Sequence, residues 1–487
     1  MQEERAAVAE QQAGAGSAPQ QGVKKHHGFS GKIGFVLAAA GSAVGLGNLW
    51  RFPYLAAKYG GGIFILCYII LAATVGITLL MLEIAIGRKT GKGVLGAFAA
   101  LNKKFKWLGF LCLVVPVIIV PYYCVIGGWV VKYIVAFLGG ASGLVASGGA
   151  AVDTDAYFTS FIADPWQPLV FFLIFAAATI FVVVFGVQKG IERISKVLMP
   201  LLAVISVALM VYVLCQDGAL EGVAYLFTPD FSKFGYETLL AALGQLFYSL
   251  SLAMGIMITY GSYMKKDVSV SKSSLQIAIC DSAFAIVAAT IIIPSIFAFS
   301  ASSDAAQNAL GTSGPSLMFV QLPAVFNNLP GGRWIGAAFF ILVFFAALTS
   351  SISLVEAIVA VLRENLHLKR WLSCLIVFGL VLVLGVLSSL GFGVLDGIHL
   401  ELPSGASYGI LDMFDYLANS ILMPIVAICT CILAGYFIDK NLIPDEIGLQ
   451  KQGMRVYFRV MVRYIAPVCM AIILISGIVF NLILPPL

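Results

Sequence analysis

The chain of 487 residues is 60% hydrophobic and only 11% charged, with a formal net charge of +5. No soluble domain can hide that much apolar surface, so a water-soluble enzyme or nucleic-acid binder is excluded and a polytopic membrane protein is predicted. The excess of Lys and Arg forms no basic stripe and bears on membrane topology instead.

Residues 1–28 differ in kind from the rest. MQEERAAVAEQQAGAGSAPQQGVKKHH is rich in Ala, Gln and Gly and has no apolar stretch. It reads as a disordered cytoplasmic tail, neither signal peptide nor span, ending in the basic cluster Lys24, Lys25, His26 and His27. Beyond it, apolar segments of about 20 residues or more recur, each long enough to cross a bilayer as a helix. They fall at 33–54, 62–87, 108–138, 166–186, 192–215, 238–264, 273–301, 333–362, 371–390, 411–438 and 457–484. Lipid offers no partner to unpaired backbone groups, which makes the expected fold an all-α bundle of eleven spans.

Loop charge sets the expected orientation. Arg88, Lys89, Lys92, Lys103, Lys104 and Lys106 crowd 88–106, and alternate loops repeat the pattern down to Lys440, Lys451, Arg455 and Arg459. Stretches 139–165, 302–332 and 391–410 hold no Lys or Arg. Basic loops stay inside, so the N-terminus is expected in the cytoplasm and the C-terminus outside. The 139–165 stretch is rich in Gly, Ala and Ser and is expected to be mobile. In 302–332 the spacing of Phe319, Leu322, Val325 and Phe326 suits either short helices folded over the outer face or a helix lying at the interface. The nine cysteines sit in apolar runs with no CxxC, as small buried side chains and not as disulfides or metal ligands.

The first span carries GSAVGLGNLWRFP, residues 41–53, where Gly41, Gly45 and Gly47 disfavour a continuous helix and Asn48 brings an amide to membrane depth. Five spans later GQLFYSLSLAMG, residues 244–255, places Gln245, Ser249, Ser251 and Gly255 in a second apolar run. Interrupted spans at matching positions of two five-helix halves point to the central site of a secondary transporter. There, freed N–H groups hold an anion and freed carbonyls a cation. Glycine serving only close helix packing is the competing reading. Asp281, in QIAICDSAFAIVAATIIIP, is costly at such depth and is a functional candidate unless it is protonated or near a helix end. FFAALTSSIS, residues 344–353, adds Thr349, Ser350 and Ser351, hydroxyls that otherwise bond back to their own helix.

Together GSAVGLGNLWRFPYLAAKYGGG, PYYCVIGGW, GQLFYSLSLAMG and FFAALTSSIS resemble the neurotransmitter:sodium symporter family, in its bacterial amino-acid-transporting branch with the LeuT fold. The likeness runs from Phe29 to the end and implies two inverted five-helix repeats, about 29–215 and 236–440, plus one extra helix at 457–484. Helices 1 and 6 would be broken. Twelve spans are usual in the family, so the eleven here leave the oligomeric state open.

The resemblance implies two sodium sites and no other cofactor. One would use the Ala43 carbonyl, Asn48, Ser249 and Asp281. The other would use the carbonyls of Gly41, Val44 and Ala346 with the Thr349 and Ser350 hydroxyls. An amino-acid substrate would set its carboxylate on the amides of Gly45, Leu46 and Gly47 and on the Tyr123 hydroxyl. Its ammonium would meet carbonyls at Ala43 and in 248–251. Ile119, Phe247, Tyr248, Ser251, Met254, Ser351 and Leu354 would line the pocket. Gly45 stands where monoamine-transporting relatives have an aspartate, which favours an amino acid over an amine. Asp281 replaces a usual asparagine near Tyr68, Gln245 and Ser249, while Ala285 stands where bacterial relatives often carry glutamate. That implies chloride-independent transport, with Asp281 supplying the negative charge.

An outer gate of Arg51 and Asp415, with Tyr123, Tyr248 and Gln245 beneath, is implied as well. Inside, Glu364 fits a gate whose partner would come from Lys25 or His26, and Phe29 holds a usual tryptophan position. Two rival classes are weighed against this reading. An intramembrane enzyme finds little support in four His and no HExxH or GxSxG. A receptor or channel that binds an amino acid without coupled transport differs only in behaviour, although a gated site argues against an open pore.

Overall fold

The computed structural model describes residues 28–140, 144–145, 153–300, 302–311, 315–402 and 407–482. The expectations for the tail before Gly28, and for most of the Gly/Ala/Ser-rich loop, fall outside the described residues.

Each apolar run becomes a helix, the form that satisfies its own backbone in lipid. The first is split into α1a (Lys32–Ala43) and α1b (Gly47–Lys58), bent by 53°. There follow α2 (Gly62–Thr90), α3 (Lys103–Gly139), α4 (Gln167–Val184) and α5 (Val187–Leu214). The sixth is again in two pieces, α6a (Tyr236–Ser249) and α6b (Ile256–Ser262). The rest are α7 (Val270–Phe299), α8 (Gly332–Asn365), α9 (Arg370–Leu390), α10 (Ile410–Phe437) and α11 (Gln452–Val479). Among the described residues nine helices are long and apolar enough to cross singly, and the bent pair makes ten. The halves of the sixth occupy 238–264, where a further crossing is expected.

Departures from expectation lie at the ends of spans and between them. Thr154–Ala163 is a short helix, started by the Asp153 carboxylate accepting from Ala156 N at 2.9 Å. Leu400–Glu401 pairs antiparallel with Ser407–Tyr408. Both are too short and too polar to register in a search for spans. Leu317–Asn327 is helical, and Phe319, Leu322 and Phe326 are almost wholly buried. Phe319 meets Trp129 and Tyr133 of α3, and its carbonyl accepts from the Tyr133 hydroxyl at 2.7 Å. That decides between the two readings of this loop: the segment folds over the bundle end and does not lie flat in lipid.

α8 is the axis of the bundle, 78% buried along its apolar stretch, with α3 packed along it and α1a, α4, α5 and α6b also against it. Its run of Ala346, Ala347, Ser350, Ser351 and Ser353 presents small side chains, which let neighbouring backbones approach without a hydrophobic driving force in lipid. α7 runs beside both halves of α1. At the other extreme α11 is only 17% buried and leans chiefly on α10. The broken helices and the polar faces of α7 and α8 therefore meet in one interior place.

Candidate functional site

In the first span, Val44 turns extended (φ −72°, ψ 105°) and ends α1a, and the helix resumes with a widened turn at Gly47–Arg51. Such π turns are frequent at functional sites. Gly45 is demanded by close approach: a Cβ there would stand 2.7 Å from Ser350 Oγ and 3.0 Å from the Tyr123 hydroxyl. In the sixth span the chain leaves the helix after Ser249, with Ser251 and Ala253 at φ of +52° and +60°. Left-handed non-glycine residues cost about 1–3 kcal/mol each and persist only where their surroundings hold them. Here Ser251 Oγ donates to the Ser42 carbonyl at 3.0 Å, and Ala253 N donates to Glu83 Oε1 at 2.7 Å.

Asn48, Ser249 and Asp281 converge and are essentially unexposed. Ser249 Oγ donates to the Asp281 carboxylate at 2.8 and 2.9 Å, and the Tyr68 hydroxyl reaches Asp281 Oδ2 at 2.9 Å. Asn48 Nδ2 donates to Asp281 Oδ1 at 2.8 Å and to Ser249 Oγ at 3.0 Å, while its Oδ1 accepts from Gly45 N at 3.0 Å. The amide thus faces the carboxylate with its nitrogen. One buried carboxylate ringed by one amide and two hydroxyls is a ready acceptor for a hard cation.

A second group lies at the junction of α1a and α8. Ser350 Oγ sits 3.0 Å from the Ser42 carbonyl, 3.2 Å from that of Val44 and 3.4 Å from that of Gly41. Thr349 Oγ1 donates to the carbonyls of Phe345 and Ala346 at 3.0 and 3.1 Å. The Thr349 and Ser351 hydroxyls do bond back within α8, whereas Ser350 gathers carbonyls from the first span. Gly41, Val44, Ala346, Thr349 and Ser350 are therefore neighbours.

Between the two groups is a small cavity enclosing about 20 Å³, walled by Ala43, Gly45, Leu46, Gly47, Asn48, Ile119, Tyr123, Tyr248, Ser249, Ser251, Met254, Ser350 and Leu354 among others. Leu46 N donates to the Tyr123 hydroxyl at 3.3 Å on its rim. Two expected residues stand off these walls. Ser351 is buried behind them, its Oγ bonded to Thr179 Oγ1 of α4 at 2.9 Å. Phe247 lines a wider outer cavity of about 380 Å³ with Arg51, Lys58, Glu237, Tyr248 and Asn419.

The expected Arg51–Asp415 pair is not formed in this structure. Asp415 Oδ1 instead accepts from the Tyr122 hydroxyl at 2.9 Å and from Asn419 Nδ2, and the Arg51 guanidinium lies over the Tyr248 ring at 5.7 Å. Asn419, one turn from Asp415 on α10, satisfies the carboxylate locally. Gln245 Nε2 donates to the Gly47 carbonyl at 3.1 Å, tying the two breaks together. Glu364 accepts from Gly93 N with both oxygens at 2.8 Å, at the start of the helix Val94–Leu101. Lys25 and His26 lie outside the described residues. Phe29 is buried edge-on against Phe35, Tyr260 and Tyr263.

Three buried carboxylates escape the motif reading. Glu83 braces the unwound part of the sixth span. Glu356 pairs with Arg370 and accepts from the Tyr263 hydroxyl at 2.9 Å, and Glu192 pairs with Lys196 and Ser30. The signal was available for the first two. Each is a lone acid in an apolar run, LEIAIG and SLVEAIVAVL, and the rule applied to Asp281 covers them equally.

Broken helices lining an enclosed polar cavity, inside a bundle of membrane-length helices, define a secondary transporter. The profile of the Sodium:neurotransmitter symporter family matches residues 26–141 and 162–483, and the chain belongs to that family. It is 34% identical to "Uncharacterized sodium-dependent transporter YhdH" of Bacillus subtilis, over 92% of this chain and 97% of that one. To an "Uncharacterized sodium-dependent transporter" of Haemophilus influenzae it is 30% identical, over 93% and 99%. Among solved structures it is similar to MhsT in complex with L-phenylalanine, with a TM-score of 0.82, 36% identity and coverage of 93% and 99%. The fold is thus the LeuT fold, and the protein is a sodium-coupled transporter and not an enzyme.

Proposed function

We propose that this protein imports a neutral amino acid with a hydrophobic or aromatic side chain, together with sodium, by alternating access and without chloride. The observation that carries this reading is the cavity at the two breaks, with oxygen clusters on both sides. At its rim the Leu46 N–H and the Tyr123 hydroxyl suit a carboxylate. The carbonyl of Ala43 and the unwound stretch after Ser249 suit an ammonium. Met254, Ile119 and Leu354 offer deformable apolar walls for the side chain. The similar protein solved with L-phenylalanine supports a bulky substrate.

Sodium would bind at two places. Asp281, Ser249, Asn48 and the Ala43 carbonyl would hold the first ion, with the Asn48 amide turned over so that its oxygen faces the ion. Gly41, Val44, Ala346, Thr349 and Ser350 would hold the second. The Asp281 carboxylate supplies the negative charge that the first site needs, which is why chloride is dispensable. Phe247, Tyr248 and Arg51 would shut the outer path. A bundle containing α1 and α6, one from each of the inverted repeats at about 29–215 and 236–440, would rock to open the inside, with α11 outside both repeats. The N-terminus would face the cytoplasm, where basic loops gather, and the C-terminus the exterior.

In proteoliposomes, an inward sodium gradient should accumulate labelled phenylalanine, and counterflow should follow when both sides hold sodium. Equal binding in choline buffer would overturn the sodium requirement. Binding without counterflow would favour a receptor.

A further inference from the structure

Arg455, Arg459 and Arg463 follow one another at four-residue spacing and line one face of α11. Arg455 is satisfied within the protein: Nη2 meets Asp445 at 2.7 Å and Nε donates to the Leu449 carbonyl at 2.7 Å. The next two are not. The Nε atoms of Arg459 and Arg463 are sealed from solvent and meet no acceptor among the described residues. Arg463 instead lies 4.3 Å over the Tyr436 ring of α10.

The two helices are in contact at Gly435. A Cβ at Gly435 would stand 3.4 Å from Arg463 Cα. Beside this contact a small cleft is walled by Arg459, Lys440 and Asp439, over a floor that includes Phe458 and Val462. Asp439 is the acid of the cleft, and its Oδ1 is engaged by Asn441 N at 2.7 Å. Positive charge therefore exceeds negative in the cleft. Around it the surface is apolar and aromatic: Tyr436, Phe437, Tyr457, Val460 and Tyr464 are all at least two-fifths exposed. Aromatic side chains of this kind mark the level of lipid headgroups.

An arginine on a lipid-facing helix is costly unless an anion or water meets it. Arg459 walls the cleft at headgroup level and Arg463 lies one turn further along the same face, each with an unpartnered Nε, and together they call for an acceptor of opposite charge. Guanidinium matches phosphate in a fork geometry. We propose that the cleft between α10 and α11 binds the phosphate of an anionic phospholipid, with Arg459 and Arg463 as donors and Lys440 beside them. The lipid would fasten the least buried helix, α11, to the bundle. The site is remote from the substrate cavity, shares no residue with it, and stands whether or not the transport reading holds.

Native mass spectrometry of the full chain, with phosphatidylglycerol competing against phosphatidylcholine, tests the site. The wild-type protein should retain phosphatidylglycerol preferentially. R459Q/R463Q should lose about thirtyfold of that preference, at about fivefold per basic contact. An unchanged preference in the double variant overturns the proposal. So does displacement of the bound lipid by millimolar inorganic phosphate, which would make the cleft a site for the free ion. Should the double variant fail to assemble, R459K/R463K keeps the charge and removes the fork. A preference lower by about fivefold is then expected, and no change overturns the assignment.

Discussion

The two oxygen clusters beside the cavity are built from different material. Around Asp281 the donors are side chains from α1b, α6a and α2, and the carboxylate of α7 lies at the centre. Around Ser350 they are backbone carbonyls freed by the break in α1 and hydroxyls of α8, with no charge at all. A carboxylate sunk among neutral groups draws a cation strongly and depends on that one residue. A neutral cluster spreads its attraction over several dipoles and, in the proposed cycle, would let an ion go when α1a moves away from α8. On the proposed reading the first cluster would have the tighter hold and the second the release.

Four measurements break or sharpen that contrast. The largest effect is expected from D281A. Removing the carboxylate leaves Tyr68, Ser249 and Asn48 facing a gap, at about 1–3 kcal/mol for each buried donor left unsatisfied. Sodium-dependent uptake should vanish at ordinary sodium concentrations, and a variant that keeps its sodium dependence removes the first cluster from the mechanism. Next comes G45A, whose methyl would collide with Ser350 Oγ and the Tyr123 hydroxyl. Overpacking of about 1–3 kcal/mol should raise the substrate Kd by about fivefold to a hundredfold in scintillation proximity binding. Unchanged affinity would show that the close approach is not needed.

S350A removes one neutral oxygen, so its sodium Kd should rise by about five- to tenfold, at about 1 kcal/mol for a lost hydrogen-bonding group. A loss as large as that of D281A would erase the distinction between the clusters. The smallest effect concerns the outer gate. An exposed ion pair is worth about 0–1 kcal/mol. A double-mutant cycle on R51Q and D415N should give a coupling below that limit in binding, while slowing or quickening substrate exchange. A larger coupling would mean that the pair, absent here, forms tightly when substrate is bound.

A group outside the spans reports on the opposite end of the bundle. Burial pushes the Glu446 carboxyl up, but the hydrogen bonds and charges of Lys266 and Arg88 outweigh it and hold the group below the usual range. A depressed carboxyl adds stability that is present above its unfolded value and lost as pH falls through its folded one. The melting temperature of the wild type should therefore drop faster than that of E446Q as pH goes below about 4. Parallel curves would remove Glu446 from the account.

Much of this was open to reading in the chain itself. The spans follow from apolar length, and the breaks follow from Gly45, Gly47 and Gly255 placed amid apolar residues. Asn48, Ser249 and Asp281 are conspicuous because polar groups at membrane depth are costly. The buried acids Glu83 and Glu356 carried the same signal, but no motif pointed to their partners. The gate is a different matter. Arg51 and Asp415 pair well as a motif, yet Tyr122 and Asn419 satisfy the carboxylate first, a competition that sequence spacing does not reveal. Ser351 and Phe247 lie beside the expected positions, and only helix rotation decides that one backs onto Thr179 and the other faces the outer cavity.

Composition and polar punctuation, then, determined that the chain crosses a membrane and where it does so, and marked the two crossings that the structure shows to be interrupted. Those are local consequences of a solvent that will not hydrogen-bond the backbone. Which donors share a cluster, which acid finds which base, and how far α10 and α11 approach are set by packing between segments hundreds of residues apart. Such contacts depend on helix rotation and rise, quantities that only the assembled bundle supplies.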